Sequence, residues 1–321
     1  MSAILIISNK FDVHSDVVER YLIEESNESV IRINTDNFLS DGTEITFGFK
    51  EGIKVRGIFT PFSGIKSVWY RRPADIESNI TDENQKIFGQ RELKELLFNL
   101  YFNLNDALWV SKLLSLDNAR RKYAQLCIAR NIGMNIPKTC ITNSPERVQK
   151  FYHQCDGKMV YKTLHLPIID LKDERGIWGV PTSLVDSGLL DKIDLIKQSG
   201  GIFQEYVEKD YEIRVTVIGD NVFAAKLDSQ KEPSAKIDWR EAILSNKVPV
   251  FPYTLPPVLE KQCREVVKKF NLAFGAIDLI RKPNGDYIFL EINPNGQWLW
   301  VEDFTKQPLV RNMANLLSGN H

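Results

Sequence analysis

The chain has 321 residues, 43% of them hydrophobic and 26% charged, with a formal net charge of -1. That length allows two or three domains with a sizeable buried core, and the charge balance excludes a global electrostatic pull toward nucleic acid or a membrane surface. No apolar run approaches a membrane span. The start, Met1-Ser-Ala-Ile-Leu-Ile-Ile-Ser8, lacks a basic leader and is too short for a signal peptide, so it reads as a first buried strand.

In chain order, residues 1–115 read as one α/β unit. Ala3–Ser8 is a short apolar strand, and Asp12–Glu25 has the helical spacing of Val17, Val18, Tyr21 and Leu22. Val30–Asn34 is a second strand. Glu44–Lys50 and Ile53–Phe59 bracket Glu51-Gly52 as a hairpin, and Ser67–Arg71 is a strand running into Arg72-Pro73. Gln85–Asn103 is an amphipathic helix with Leu93, Leu96, Leu97 and Leu100 on one stripe, and Ala107–Val110 closes the unit. A linker at Ser111–Leu116 leads to a helix over Asp117–Asn131, with Asp117 as N-cap and Gly133 as stop. Ile136–Asn143 is a strand and turn, and Ser144-Pro145 opens the next helix. Lys158–Thr163, Trp178–Pro181 and Ile202–Val207 are strands of a smaller α/β unit. Beyond 209 come Glu212–Ile218, Asn221–Asp228, a helix over Pro257–Phe270, and a final hairpin.

Cys127, Cys140, Cys155 and Cys263 form no C-x-x-C pair, which suits reduced thiols in the cytoplasm. His14, His153, His165 and His321 have no metal-ligand spacing. Neither G-x-x-x-x-G-K-[ST] nor G-x-G-x-x-G is present.

The most informative stretch is the final hairpin, Gly275–Arg281 and Asp286–Asn293 around Lys282-Pro-Asn-Gly285. Side chains alternate between the faces of a strand. A two- or four-residue loop places Asp278, Glu291 and Asn293 on one face, with Ile277, Leu279, Ile288, Leu290 and Ile292 on the other. A three-residue loop, Pro283–Gly285, mixes the two sets. The clean apolar face therefore selects an even loop, and Pro283, which lacks an N–H, favours four residues. Two carboxylates roughly 5 Å apart repel by about 3 kcal/mol at an effective dielectric of 20, so a cation must offset them. Oxygen donors without His or Cys suit Mg²⁺ shared with nucleotide phosphates; the competing reading is a solvated, charged strand face.

Several motifs occur in one order: Lys122 ahead of Gly-x-x-Ile-Pro, Val160-Tyr-Lys162, Phe203-Gln-Glu-Tyr-Val207, Glu212-Ile-Arg214, Asp278, and Glu291-x-Asn293. This order resembles the ATP-grasp superfamily, and within it the peptide maturases that make microviridin-type graspetides. The finer likeness rests on Trp69-Tyr-Arg-Arg-Pro73, Ile136–Asn143, Lys226-Leu-Asp-Ser-Gln230 with Asp238-Trp-Arg240, and Glu291–Trp298. The resemblance implies an α/β (α+β) ATP-grasp fold: a pre-ATP-grasp domain at 1–115, a central lobe at 116–208 and a C-terminal lobe at 209–321 carrying the metal site.

It also implies roles. Lys162, mid-strand among apolar neighbours, meets nucleotide phosphates or else snorkels outward. Lys122 approaches from the adjoining helix, with Arg120 and Arg121 as competitors. Gln204, Glu205, Tyr206 and Val207 form the hinge at the adenine edge, Glu205 taking the exocyclic amine and the Val207 backbone donating. Glu212 accepts the ribose hydroxyls. Arg214 holds the γ-phosphate or an acyl phosphate, or makes a structural salt bridge. Arg240 is assigned with it to catalysis, and Asp238-Trp239 either captures peptide or anchors a loop. Arg71 and Arg72 bind acidic substrate side chains or pair with local carboxylates. Trp298 and Trp300 wall an acceptor site or belong to the core. Asp278, Glu291 and Asn293 hold Mg²⁺.

The implied activity is an ATP-dependent ligase. It activates Asp or Glu side chains of a ribosomal precursor peptide, leader plus core, as acyl phosphates, and closes ω-ester or ω-amide rings with Thr, Ser or Lys. The alternatives are a ligase adding glutamate or another amino acid to a protein or cofactor, and a non-catalytic nucleotide-binding scaffold. The resemblance further implies a homodimer, and the charge balance and lack of long apolar runs imply no nucleic-acid or membrane partner.

Overall fold

The computed structural model describes residues 2–78, 80–165, 168–170 and 177–320. The first sheet holds β1 (Ala3–Ser8), β2 (Ser29–Asn34), β6 (Ile65–Tyr70) and β7 (Leu108–Val110), ordered β2-β1-β6-β7 and parallel throughout. Every residue of β1 is buried, as an apolar strand covered on both faces requires. α1 (Val13–Glu24) starts at Asp12, whose carboxylate accepts the Ser15 amide. The expected hairpin over 44–59 is instead a three-stranded meander of β3 (Glu44–Thr46), β4 (Gly52–Val55) and β5 (Ile58–Pro61). Arg56 (φ 49°) and Gly57 (φ 82°) make a left-handed tight turn that splits the longer strand. α2 (Glu83–Asn103) buries Leu97 and Leu100 on the sheet.

The helix expected over Asp117–Asn131 is broken into α3 (Leu113–Ala119) and α4 (Lys122–Asn131). Asp117 lies inside α3 and pairs with Arg121 at 2.7 Å rather than capping. The break frees the Ala119 carbonyl, which accepts from the buried Gln125 side chain. The central sheet follows: β8 (Thr139–Thr142), α5 (Pro145–Gln154), β9 (Met159–Lys162), the paired β10 (Ile168–Asp170) and β11 (Ile177–Gly179), β12 (Ser183–Leu184), α6 (Ser187–Asp191) and β13 (Gly201–Glu205). Its strand order is β12-β9-β13-β8, antiparallel.

The third sheet is ordered β16-β15-β14-β17-β18, from β14 (Tyr211–Ile218), β15 (Asn221–Leu227), β16 (Val250–Pro252), β17 (Phe274–Arg281) and β18 (Tyr287–Asn293). α7 (Arg240–Leu244) precedes β16, and α8 (Pro257–Lys269) follows it. One face, with Ile213, Val215, Ile277 and Leu279, packs on Leu259, Cys263 and Val266 of α8. α9 (Leu299–Thr305) and α10 (Leu309–Ser318) end the chain, and Met313 and Leu317 of α10 share a core with Ile4, Val18 and Leu22 at the other terminus.

The final hairpin departs from the even loop. Lys282 donates its amide to the Asp286 carbonyl at 2.8 Å and Gly285 donates to Lys282 at 3.0 Å, leaving Pro283-Asn284-Gly285 as a three-residue loop. Gly285 takes a φ of 99°, the left-handed residue that closes such loops, and Pro283 sits where no N–H is needed. Near the turn, Leu279 faces Phe289 and Ile280 faces Ile288. A bulge between Asp278 and Leu279 then shifts the register by one, so that Asp278 faces Glu291 and Ala276 faces Asn293. Phe289, not Ile288 or Leu290, joins the apolar face. The acidic face is reached by an odd loop corrected by a bulge.

Candidate active site

β18 is an edge strand, and α4 covers its open edge. Gln125 donates to the Ile292 carbonyl at 2.9 Å and accepts the Ile292 amide at 3.1 Å, while Phe289 donates to Asn135 at 2.8 Å. The residue between Glu291 and Asn293 is thus gripped by both backbone groups. The sequence reading missed Gln125; its signal is the three-residue spacing from Lys122, which puts both on one helix face.

Around Glu291 gather three cations. Lys122, the first residue of α4, contacts Oε2, and Arg240 donates to Oε1 at 2.6 Å. Lys162 of β9 faces the same group. Burial lowers its ammonium to about 8, Arg240 and Lys122 push the same way, and Glu291 and Asp238 resist. Burial alone would raise the Glu291 carboxyl; the attraction of Lys122, Arg240 and Lys162 instead holds it well below the carboxylate range. Arg240 is itself raised, burial being outweighed by Glu291, Asp238 and Asp278. Across the ladder, Asp278 accepts from Arg214 at 2.7 Å through Oδ1, while its buried Oδ2 has no hydrogen-bond partner among the described residues. Asn293 points its amide nitrogen at Glu291 (3.3 Å), leaving Oδ1 as its available donor.

A buried carboxylate oxygen that makes no hydrogen bond among the described residues, though Arg240 lies 3.7 Å away, an adjacent carboxylate and an amide oxygen make a hard-donor set that fits Mg²⁺. Among the described residues no three His, Cys, Asp or Glu side chains form a metal cage by themselves. The set is therefore one that a nucleotide's phosphates would complete.

The remaining expected residues divide. Val207 leads out of β13 with its amide unclaimed by any backbone carbonyl among the described residues, whereas the Tyr206 amide goes to Lys158 at 2.8 Å. Glu205 is half-buried and accepts the Lys138 amide at 2.9 Å. The Gln204 side chain is buried and donates to Thr139 at 3.0 Å, so it braces the sheet. Glu212 pairs with the buried Lys209 at 2.6 Å; burial raises its carboxyl while Lys209 opposes, and Oε2 has no partner among the described residues. Arg214 makes the ion pair named as its alternative, Nη1 donating to Asp278 at 2.7 Å and Nη2 to the Gln297 carbonyl at 3.0 Å, while its buried Nε has no hydrogen-bond partner among the described residues.

Asp238 pairs with Arg240 at 3.0 Å, but Trp239 is a loop anchor rather than a capture surface, buried in the core with its ring 5.3 Å from Trp300. Trp298 is fully buried and is a core residue. Arg71 is also buried. It donates to the carbonyls of Asn295 (2.7 Å) and Gly296 (3.0 Å), so it braces the loop after Asn293 and is not open to substrate. Arg72 is exposed and reaches Asn295 at 3.2 Å. His14 and Asp12, unflagged in the sequence reading, lie behind the same loop; His14 accepts the amides of Trp298 and Leu299.

The chain is similar to known proteins over most of its length. The macrocyclase MdnC from Microcystis aeruginosa MRC, solved with its precursor peptide MdnA, is 29% identical, with 99% of this chain and 100% of that one covered at a TM-score of 0.86. A RiPP-associated ATP-grasp ligase of Chryseobacterium gregarium, solved with ADP and a leader and core peptide, is 29% identical, with coverage of 100% and 98% and a TM-score of 0.88. A probable alpha-L-glutamate ligase of Legionella pneumophila is 24% identical over 247 residues, 73% of this chain and 75% of that protein. The RimK-like ATP-grasp domain model matches residues 119–317, and the chain belongs to that ATP-grasp family.

Proposed function

We propose that the protein is an ATP- and Mg²⁺-dependent ligase that closes macrocycles in a ribosomal precursor peptide. The observation that carries the reading is the ring of Lys122, Lys162 and Arg240 around Glu291, directly opposite Asp278. Lys122, Lys162, Arg240 and Arg214 face Glu291, Asp278 and Asp238, so positive charge is in excess of carboxylate, and a triphosphate can supply further negative charge. Likeness along essentially the full length of two peptide-modifying ligases supports the peptide substrate.

In this reading a substrate Asp or Glu carboxylate oxygen attacks the γ-phosphorus of ATP and ADP leaves. A Thr or Ser hydroxyl, or a Lys amine, then attacks the acyl carbon and phosphate leaves with the former carboxylate oxygen, so each ring costs the peptide one water. Lys122, Lys162 and Arg240 orient the phosphates and offset charge as it develops. Bound Mg²⁺, held by Asp278, Glu291 and Asn293, would supply further charge neutralisation. Val207 and Glu205 receive the adenine edge and Glu212 the ribose. Arg214 aligns Asp278. Arg72, exposed beside the loop after Asn293, is the arginine that can meet an acidic substrate side chain. Asp238 holds Arg240. A homodimer is part of the proposal, as is a cytoplasmic location, which suits four free cysteines. No helix among the described residues is long and apolar enough to cross a membrane.

The test is to mix the protein, Mg-ATP and the precursor peptide encoded beside it, and to follow ADP and peptide mass. Loss of one water per ring, with ADP in step, is expected. ADP release with glutamate and no fall in peptide mass would instead favour glutamate transfer, the reading suggested by the Legionella relatives. Absence of any nucleotide turnover would leave only the scaffold reading.

A further inference from the structure

The strand that ends at Asn293 runs into Pro294-Asn295-Gly296-Gln297-Trp298, and this loop is held chiefly by side chains from elsewhere in the chain. Arg71, just past β6, donates to the carbonyls of Asn295 and Gly296 at 2.7 and 3.0 Å. Arg214, on β14, donates to Gln297 at 3.0 Å and to Asp278 at 2.7 Å. His14, in the first turn of α1, takes two amides on one nitrogen: Trp298 at 3.0 Å and Leu299 at 3.3 Å donate to Nε2. These are orphan amides at the start of α9, which no earlier turn can satisfy.

A nitrogen that accepts carries no proton, so His14 is neutral with its proton on Nδ1, the atom that faces Asp12 at 3.6 Å. Asp12 is anchored in turn: its Oδ2 accepts from Ser8 at 2.9 Å and Ser15 at 2.5 Å, and lies 3.6 Å from Arg71 Nε. One buried carboxylate thus orients both N-terminal side chains that grip the loop. The loop has little freedom to answer in another way. A Cβ on Gly296 would lie 2.7 Å from the Ala276 Cβ, 2.8 Å from Arg214 Nη2 and 3.2 Å from the Asn293 Cβ.

We infer that His14 and Arg71, oriented by Asp12, are positioning residues through which the N-terminal domain sets the place of Asn293 and so the affinity of the Asp278–Glu291–Asn293 site for a divalent metal–nucleotide. The inference rests on the proposed ligase reading for the identity of that ligand. Residues that orient a metal's ligands typically change metal affinity by about 10- to 100-fold when removed.

Binding of Mn²⁺ to the full-length protein with ADP, followed by the electron paramagnetic resonance of free Mn²⁺, reads this without turnover. His14→Ala is expected to weaken Mn²⁺ by about tenfold or more, while metal-free ADP affinity, measured in EDTA, changes less than about twofold. His14→Gln, whose side-chain oxygen can accept an amide, is expected to recover most of the loss. Mn²⁺ affinity unchanged in a folded His14→Ala overturns the inference, as does equal loss in His14→Ala and His14→Gln. Should His14→Ala not fold, Arg71→Met, which keeps the aliphatic stem but has no donor for either carbonyl, carries the same expectation and the same reversal. If the unaltered protein binds no Mn²⁺ with ADP, the ligase reading of the site falls first.

Discussion

At the residue scale, the site is governed by charges that only make sense together. Glu291 stays ionised because three cations face it. Glu291→Gln removes the proposed metal ligand and the charge that Lys122, Lys162 and Arg240 share, leaving them repelling one another, so ATP turnover with the precursor is expected to fall by about 100-fold or more, measured as ADP release. Lys162→Met removes a charged donor and is expected to raise the KM for ATP by about 10-fold or more in steady-state kinetics, with fold stability kept. His14 makes a prediction of a different kind. Burial lowers its imidazole from the ordinary 6.5 to about 4, with Arg71 assisting and Asp12 opposing. Between those values the unfolded chain takes up a proton that the folded protein refuses, so stability is complete above about 6.5 and is lost as pH falls toward 4, at up to about 1.4 kcal/mol per pH unit. Urea midpoints measured from pH 7 to 4.5 are expected to fall, and to fall less steeply in His14→Gln. Lys162 stood out because it interrupts an apolar strand, and Asp278, Glu291 and Asn293 because they alternate with apolar residues; Lys122 came only from the resemblance in motif order. His14 did not stand out, because a single histidine in an amphipathic helix carries no spacing signal, and its partners lie some 285 positions away.

At the element scale, the decisive piece is the hairpin of β17 and β18. An odd loop would have set Asp278 and Glu291 on opposite faces, but the bulge adds one residue to β18 and restores the pair. The Pro/Asn/Gly cluster marks a hairpin in the sequence, but the sequence reading favours a four-residue loop where the structure makes it three. The bulge was not visible in the sequence, because it depends on which side chains the core of α8 accepts, and that core selected Phe289. The loop after β18 is equally constrained. Gly296→Ala forces a methyl to within 2.7 Å of Ala276 and 2.8 Å of Arg214. A loss of about 1–3 kcal/mol in stability is expected by denaturant titration, as for overpacked cores, with ligase activity falling as Arg214 is displaced from Gln297.

At the scale of the whole molecule, the first and last elements share one core, in which Ile4, Val18 and Leu22 meet Met313 and Leu317. Leu317 is fully buried, so Leu317→Ala is expected to cost about 3 kcal/mol, read as a lower thermal midpoint. A chain beginning at residue 111 exposes that core and loses the Arg71 and His14 contacts, so it is expected to bind a hydrophobic dye and lose divalent-metal affinity. By itself the sequence determined most of the strands and helices, the order of the nucleotide motifs, and a final hairpin carrying Asp278, Glu291 and Asn293, because alternation, helical period and turn residues are local and each is written within a few positions. Only the tertiary structure decided the hairpin register, the break between α3 and α4 that brings Lys122 and Gln125 to β18, and the bracing of the loop after β18 by His14 and Arg71. Those depend on which distant surfaces exclude water together, and burial of that kind has no period along the chain.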